Sequence, residues 1–143
     1  MTAWRDIEQA APEFAARVQA LFDAHKHKTM ATIRADGSPR ISGIEAAFTD
    51  GELTFGSMPN SRKGADLARD PRLALHSATV DPVSGEEATW PGEAKIAGRA
   101  RKDGDAYRVD ITEVVHTHLD EKATVLVVEW WTPTHGLRRA ERD

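Results

Sequence analysis

Apolar residues recur every three to four positions between residues 12 and 25, where Phe14, Val18, Leu21 and Phe22 share one face and Pro12 stands in the first turn. That is the period of an amphipathic helix, and proline at its start gives up only a backbone N–H that would lack a partner anyway. Beyond this segment the period shortens to two. Residues 29–33 alternate and run into Asp36-Gly37, a tight-turn dipeptide because glycine accepts positive φ, and residues 40–48 form the returning strand of a hairpin. A second turn signal, Asp50-Gly51, introduces residues 52–57. Connections this short cannot hold a crossover helix, so the sheet begins antiparallel.

Residues 61–69 interrupt the strands. They lack β-branched side chains, offer Asn60 or Ser61 as an N-cap and are closed by Asp70-Pro71, which predicts a short helix. Residues 73–77 return to strand character, and residues 78–92, with Pro82, Gly85, Pro91 and Gly92, form a long surface loop of a kind that often serves function. Residues 93–101 alternate Ala94, Ile96, Gly98 and Ala100 against charged neighbours, with Gly98 marking a bulge. A last hairpin is predicted from residues 107–118 and 124–131, rich in Val, Ile, Thr and Trp, followed by a polar, basic tail from Thr132. The expected fold is mainly β: six or seven antiparallel strands in a closed or nearly closed barrel, with one N-terminal helix and one short internal helix.

Length and composition narrow the classes. A chain of 143 residues matches one domain, here 1–143, and 40% hydrophobic with 29% charged residues supplies both a core and a soluble surface. The absence of cysteine excludes disulfides, thiolate nucleophiles and thiolate-held metal. A net charge of −4 argues against general affinity for nucleic acid or anionic membrane. No apolar run approaches transmembrane length, and Met1 to Asp6 carries no signal-like pattern, so a cytoplasmic location is expected.

The segment richest in chemistry is Asn60-Ser61-Arg62-Lys63-Gly64, two adjacent cations at the start of a helix whose first N–H groups are unpaired. Cations there oppose the helix dipole by roughly 0.3–1 kcal/mol each unless an anion compensates them, so a bound phosphate would turn a penalty into a gain. Arg40, just after a turn, could supply a third cation. An ordinary solvated helix face is the alternative reading of the Arg-Lys pair. His116 and His118, two apart in a predicted strand, share a face and could chelate a metal, but with no third ligand nearby a solvent-facing or interface role is preferred and no metal is expected. Of Trp130 and Trp131 only one can face the core, and Trp90 in the long loop is a candidate lid.

The order of strand, turn, Pro39-Arg40 and strand, turn, strand, then Ser61-Arg62-Lys63-Gly64 with Leu67, Asp70-Pro71-Arg72 and a further strand resembles the FMN-binding pyridoxamine 5'-phosphate oxidase-like family of split β-barrels. The resemblance covers roughly residues 28–101. It implies that Arg40, Arg62 and Lys63 hold the cofactor phosphate and that Ile41, Ser42, Gly56 and Ser57 line the phosphate, ribityl chain or ring. It also implies that Glu93 stands where the family often has a glutamine facing the partner chain's cofactor, and that the protein is a homodimer. The implied activity is a flavin-dependent oxidoreductase acting on a small molecule, with no side chain required as acid or base. A deazaflavin (coenzyme F-420) in place of FMN, a non-catalytic carrier or sensor, and a dimeric interaction module remain alternatives. One departure matters: the vitamin B6 oxidase has a substrate-phosphate lysine at the position of Glu45, and the tail Gly136-Leu137-Arg138-Arg139 lacks that enzyme's arginine-histidine motif, so pyridoxine phosphate oxidation is not expected.

Overall fold

In the computed structural model, which describes residues 1–142, two helices precede the sheet: α1 (Trp4–Ala10) and α2 (Pro12–Asp23). Only α2 was legible as a helix, because α1 buries just Trp4 and Ile7, too few positions to show a period. A cap and a tether hold α1 instead. The Ala3 N–H donates to Asp6 Oδ2 at 2.9 Å, and Trp4 Nε1 donates to Gln19 Oε1 of α2 at 3.0 Å.

The strands are β1 (Lys28–Ile33), β2 (Pro39–Ile44), β3 (Ala46–Thr49), β4 (Glu52–Gly56), β5 (Arg72–His76), β6 (Glu93–Asp103), β7 (Ala106–Leu119), β8 (Leu126–Thr132) and β9 (Gly136–Arg142), with α3 (Arg62–Arg69) between β4 and β5. They form one antiparallel sheet in the order β2-β1-β5-β6-β7-β4-β3, with β8 beside β7 and β9 beside β8. The count is nine rather than six or seven. Two of the extra strands have identifiable origins. The expected single strand over residues 40–48 breaks at Glu45 into β2 and β3, and the tail pairs with β8, Trp130 opposite Arg138 and Val128 opposite Ala140. An edge strand held by ladder hydrogen bonds needs no apolar face, which is why the tail's polar sequence concealed it.

The ends of the seven-strand path, β2 and β3, are joined in sequence by Glu45 alone. A sheet whose two edges are one residue apart along the chain must curl until they meet, yet β2 and β3 do not pair, so the barrel is split there rather than closed by a ladder. The long β6–β7 pairing carries the expected bulge between Ala97 and Gly98. A Cβ at Gly98 would stand 2.3 Å from the Asp110 carbonyl oxygen and 2.8 Å from Val109 Cγ1, so only glycine fits the crossing.

Met30, Leu53, Phe55, Leu75, Ile96, Ile111, Val114 and Trp131 fill the barrel, and Trp4, Ile7, Phe14, Val18 and Phe22 of the helices complete the same core. Trp131 is the inward member of the tryptophan pair. Each fully buried side chain of this size contributes roughly 1.5–3 kcal/mol. Trp90 does not stand free over a pocket: its Nε1 donates to the Val80 carbonyl at 2.7 Å and pins the long loop to itself. Among the described residues no helix is long and apolar enough to cross a membrane.

Candidate functional site

Helix α3 begins as its sequence requires. Ser61 takes an extended conformation (φ −68°, ψ 152°) and its Oγ accepts the Gly64 N–H at 3.1 Å, while Asn60 before it adopts φ 63°, which asparagine tolerates. Ser57 Oγ lies 2.6 Å from Ser61 Oγ, so two hydroxyls close over the first turn. A Cβ on Gly64 would sit 3.0 Å from Ser61 Oγ and 3.4 Å from Ser57 Oγ, tight enough to push the pair apart.

Two polar tethers fix α3 along β2. Lys63 Nζ donates to the Gly43 carbonyl at 3.0 Å, and Arg40 Nε donates to Asp66 Oδ2 at 2.7 Å. Asp66 is 2% exposed, and a buried carboxylate is tolerable only when its lone pairs are filled. Thr32 Oγ1 donates to the same oxygen at 2.7 Å and Arg69 Nη2 to the other at 3.0 Å. The Arg40 hydrogen bond, ahead of the opposing effect of burial and with help from Thr32, holds the Asp66 pKa below its ordinary value.

Between β2, β4 and the start of α3 opens a cleft of about 480 Å³ lined by His27, Gly43, Ile44, Glu45, Gly56, Ser57, Met58 and Lys63. Gly43 and Gly56 give it a bare backbone floor, since a Cβ on either would meet nothing within 4 Å. Glu45 projects at its edge, 3.3 Å from His27 Nε2 and 3.8 Å from Lys26 Nζ, an exposed grouping of little energetic weight but a local negative charge.

The residues singled out from sequence distribute as follows. Gly56, Ser57 and Lys63 line the cleft. Arg40 and Ser42 share the inward side of β2, with Arg40 drawn to Asp66. Arg62 is exposed on the first turn of α3, with no hydrogen bond or ion pair among the described residues. Ile41 turns to the opposite face of β2 and is 75% exposed. Glu93 lies apart, at the start of β6, opposite Thr117 and 3.7 Å from His76 Nε2. Sequence reasoning missed Gly43, Met58 and Asp66. Gly43 had a signal, the period-two register that repeats Ile41 two positions on, whereas Asp66 looks like any solvated helix charge until Thr32 and Arg40 fold onto it. The histidine pair also gains the third donor that spacing did not show: Glu129 lies directly opposite His116 across β7 and β8.

A family model described as pyridoxamine 5'-phosphate oxidase matches residues 14–133. Among solved structures, a pyridoxamine 5'-phosphate oxidase-related, FMN-binding protein from Nostoc punctiforme superposes with a TM-score of 0.64 at 9% identity, over 93% of this chain and 96% of that one. An F420 reductase superposes with a TM-score of 0.51 at 15% identity, over 66% of this chain and 92% of that one. A heme-binding protein from Mycobacterium smegmatis gives 0.53 at 13% identity, over 89% and 87%. No curated protein matches this chain. At such identities the superpositions speak to the fold, and the fold is the split barrel.

Proposed function

The chain belongs to the pyridoxamine 5'-phosphate oxidase family, and from that premise we propose that it is a homodimeric, flavin-dependent oxidoreductase that binds FMN in the cleft between β2, β4 and the start of α3. The observation that carries this reading is the pairing of a bare backbone floor, Gly43 and Gly56, with a lysine at the mouth of a capped helix. A planar ring needs the first and a phosphate the second.

Lys63 spends one of three N–H donors on the Gly43 carbonyl, and Arg40 spends its Nε on Asp66, which leaves two donors on the ammonium and both terminal nitrogens of the guanidinium for a phosphate. Exposed Arg62 supplies the third cation, and the Arg62 and Lys63 backbone N–H groups at the start of α3, with the Ser57–Ser61 hydroxyl pair, complete an anion site of ordinary helix-terminus type. When bound, the flavin supplies hydride or electron transfer, and the protein binds, orients and shields it. Glu45 in the cleft disfavours a phosphorylated substrate, so the reaction proposed is not pyridoxine phosphate oxidation. The outward face of four neighbouring strands carries Ile41, Ala31, Ala74 and Ala97 in one row, a flat apolar strip suited to a second copy, through which Glu93 would reach the partner's cofactor.

The test is the visible spectrum of the purified protein, titration of stripped protein with FMN and separately with the deazaflavin, and light scattering for mass. Uptake of one FMN per chain by a dimer supports the reading. Preference for the deazaflavin replaces the cofactor but keeps the site, and a monomer that takes up neither refutes it. Steady-state turnover with a reductant separates an oxidoreductase from a carrier.

A further inference from the structure

The inner face of β7 and β8, beneath α2, holds a second polar cluster far from ordinary for a barrel interior. His116 and His118 project from the same side of β7, and Glu129 stands opposite His116 on β8. One ligand-type atom from each residue lies within 4.8 Å of the others. His118 Nε2 is 2.7 Å and His116 Nδ1 3.8 Å from Glu129 Oε1, spacings that bracket the roughly 3.3 Å expected between donors about 2.0–2.1 Å from one tetrahedral ion.

Two observations indicate that this arrangement of side chains suits a cation. His116 is 3% exposed, and neither ring nitrogen makes a hydrogen bond of ordinary geometry, the Pro91 backbone giving it only a weak polar contact, which is an uncommon condition for a buried imidazole. His118 has the opposite difficulty: Nδ1 lies 2.9 Å from the Leu119 carbonyl and Nε2 faces a carboxylate, so both nitrogens look at acceptors. In the tautomer that donates Nδ1–H to Leu119, Nε2 presents a lone pair beside Glu129, a position where the two would share a positive ion. Donation of Nδ1–H to a backbone carbonyl is the usual device that aims Nε2 at a metal.

We propose that His116, His118 and Glu129 form a binding site for a divalent first-row transition ion of the zinc class, with an open coordination position toward the pocket under α2. Two imidazoles and one carboxylate are a donor set that zinc and ferrous iron both accept. His116, at 3% exposure, is the most deeply buried of the three donors. The pocket beside it, about 280 Å³, is lined by Leu21, His25, Val80 and Pro91 among others, which gives the ion a route in and a small ligand room to approach. Gly92 closes the back of the site, since a Cβ there would lie 3.2 Å from His116 Nε2 and 2.4 Å from the Thr117 carbonyl oxygen. Arg17, whose Nη2 donates at 3.1 Å to both Glu129 oxygens, holds the carboxylate in place and retains one oxygen when the other turns to the ion.

The full chain, stripped with a chelator, is titrated with zinc chloride against a chromophoric competitor and with cobalt chloride for its visible d–d bands. One zinc per chain is expected, with a rise in Tm on loading and cobalt absorption of a low-symmetry nitrogen and oxygen site. His116→Gln and Glu129→Gln should each weaken zinc by more than about 100-fold, beyond the loss typical of outer-shell partners, while exposed His135→Ala leaves affinity unchanged. Circular dichroism establishes that each variant is folded; should His116→Gln fail, His118→Asn takes its place. Absence of stoichiometric zinc and cobalt uptake by the folded parent overturns the proposal, as does uptake that survives the Glu129 and histidine substitutions. Neither readout depends on flavin.

Discussion

Replacing Asp66 by asparagine removes one negative charge and keeps the side chain's shape, so it isolates the electrostatic part of the joint between α3 and the barrel. The carboxylate is buried and accepts hydrogen bonds from Thr32, Arg40 and Arg69. Neutralising one partner of a buried ion pair costs about 3–5 kcal/mol when the other charge is stranded. Here the Arg40 side chain is 19% and Arg69 42% exposed, so both recover some hydration and the expected loss is about 2–3 kcal/mol. For a domain of this size that is a fall of about 6–10 °C in Tm. The pH dependence has a definite sign. Because the folded pKa is depressed below its ordinary 3.8, chiefly by the Arg40 hydrogen bond, the carboxylate stabilises the fold above that value and loses its contribution as pH falls through the folded one. Parent and variant should therefore differ fully at pH 7 and begin to converge below about pH 4. Thermal unfolding followed by circular dichroism at pH 7, 5, 4 and 3 measures it. Equal Tm values at pH 7, or a gap that does not narrow in acid, would show that Asp66 does not act through its charge.

Three further outcomes follow from the same geometry. Arg62→Ala with Lys63→Ala removes charge-assisted hydrogen bonds worth about 1.5–3 kcal/mol each and should weaken FMN binding at least about 100-fold by fluorescence titration; an unchanged Kd would place the phosphate elsewhere. Gly56→Val puts side-chain bulk into a cleft where nothing lies within 4 Å, so stability should stay within about 0.5 kcal/mol while FMN uptake is lost, and unimpaired uptake would mean the ring lies off this floor. Gly98→Ala drives a Cβ to 2.3 Å from the Asp110 carbonyl oxygen and should cost more than about 2 kcal/mol in urea denaturation, a result that a freely tolerated substitution would contradict.

Much of the candidate site was legible before any fold was known, because its parts are local. A serine three residues before Gly64 caps α3 through a hydrogen bond that spans one turn, and the cations beside it belong to that same turn. The period-two runs, the glycine turns and the Gly98 bulge likewise depend on neighbours along the chain or across one hairpin. The same locality explains what escaped. Arg40 reads as a free cation in sequence because its partner Asp66 is 26 residues away, and nothing local marks Asp66 because Thr32 is 34 residues away.

What the amino-acid order determined by itself is thus the list of elements with strong local rules: α2, α3, the hairpins, the bulge and the cation pair at a helix mouth. Only the tertiary structure decided that residues 40–48 divide at Glu45, that the polar tail becomes β9, that Glu129 meets two histidines and that Gly43 joins Gly56 in one floor. Each of those depends on which strands lie side by side once the barrel has curled. Sheet neighbours are chosen by the closure of the whole and not by any short stretch of chain.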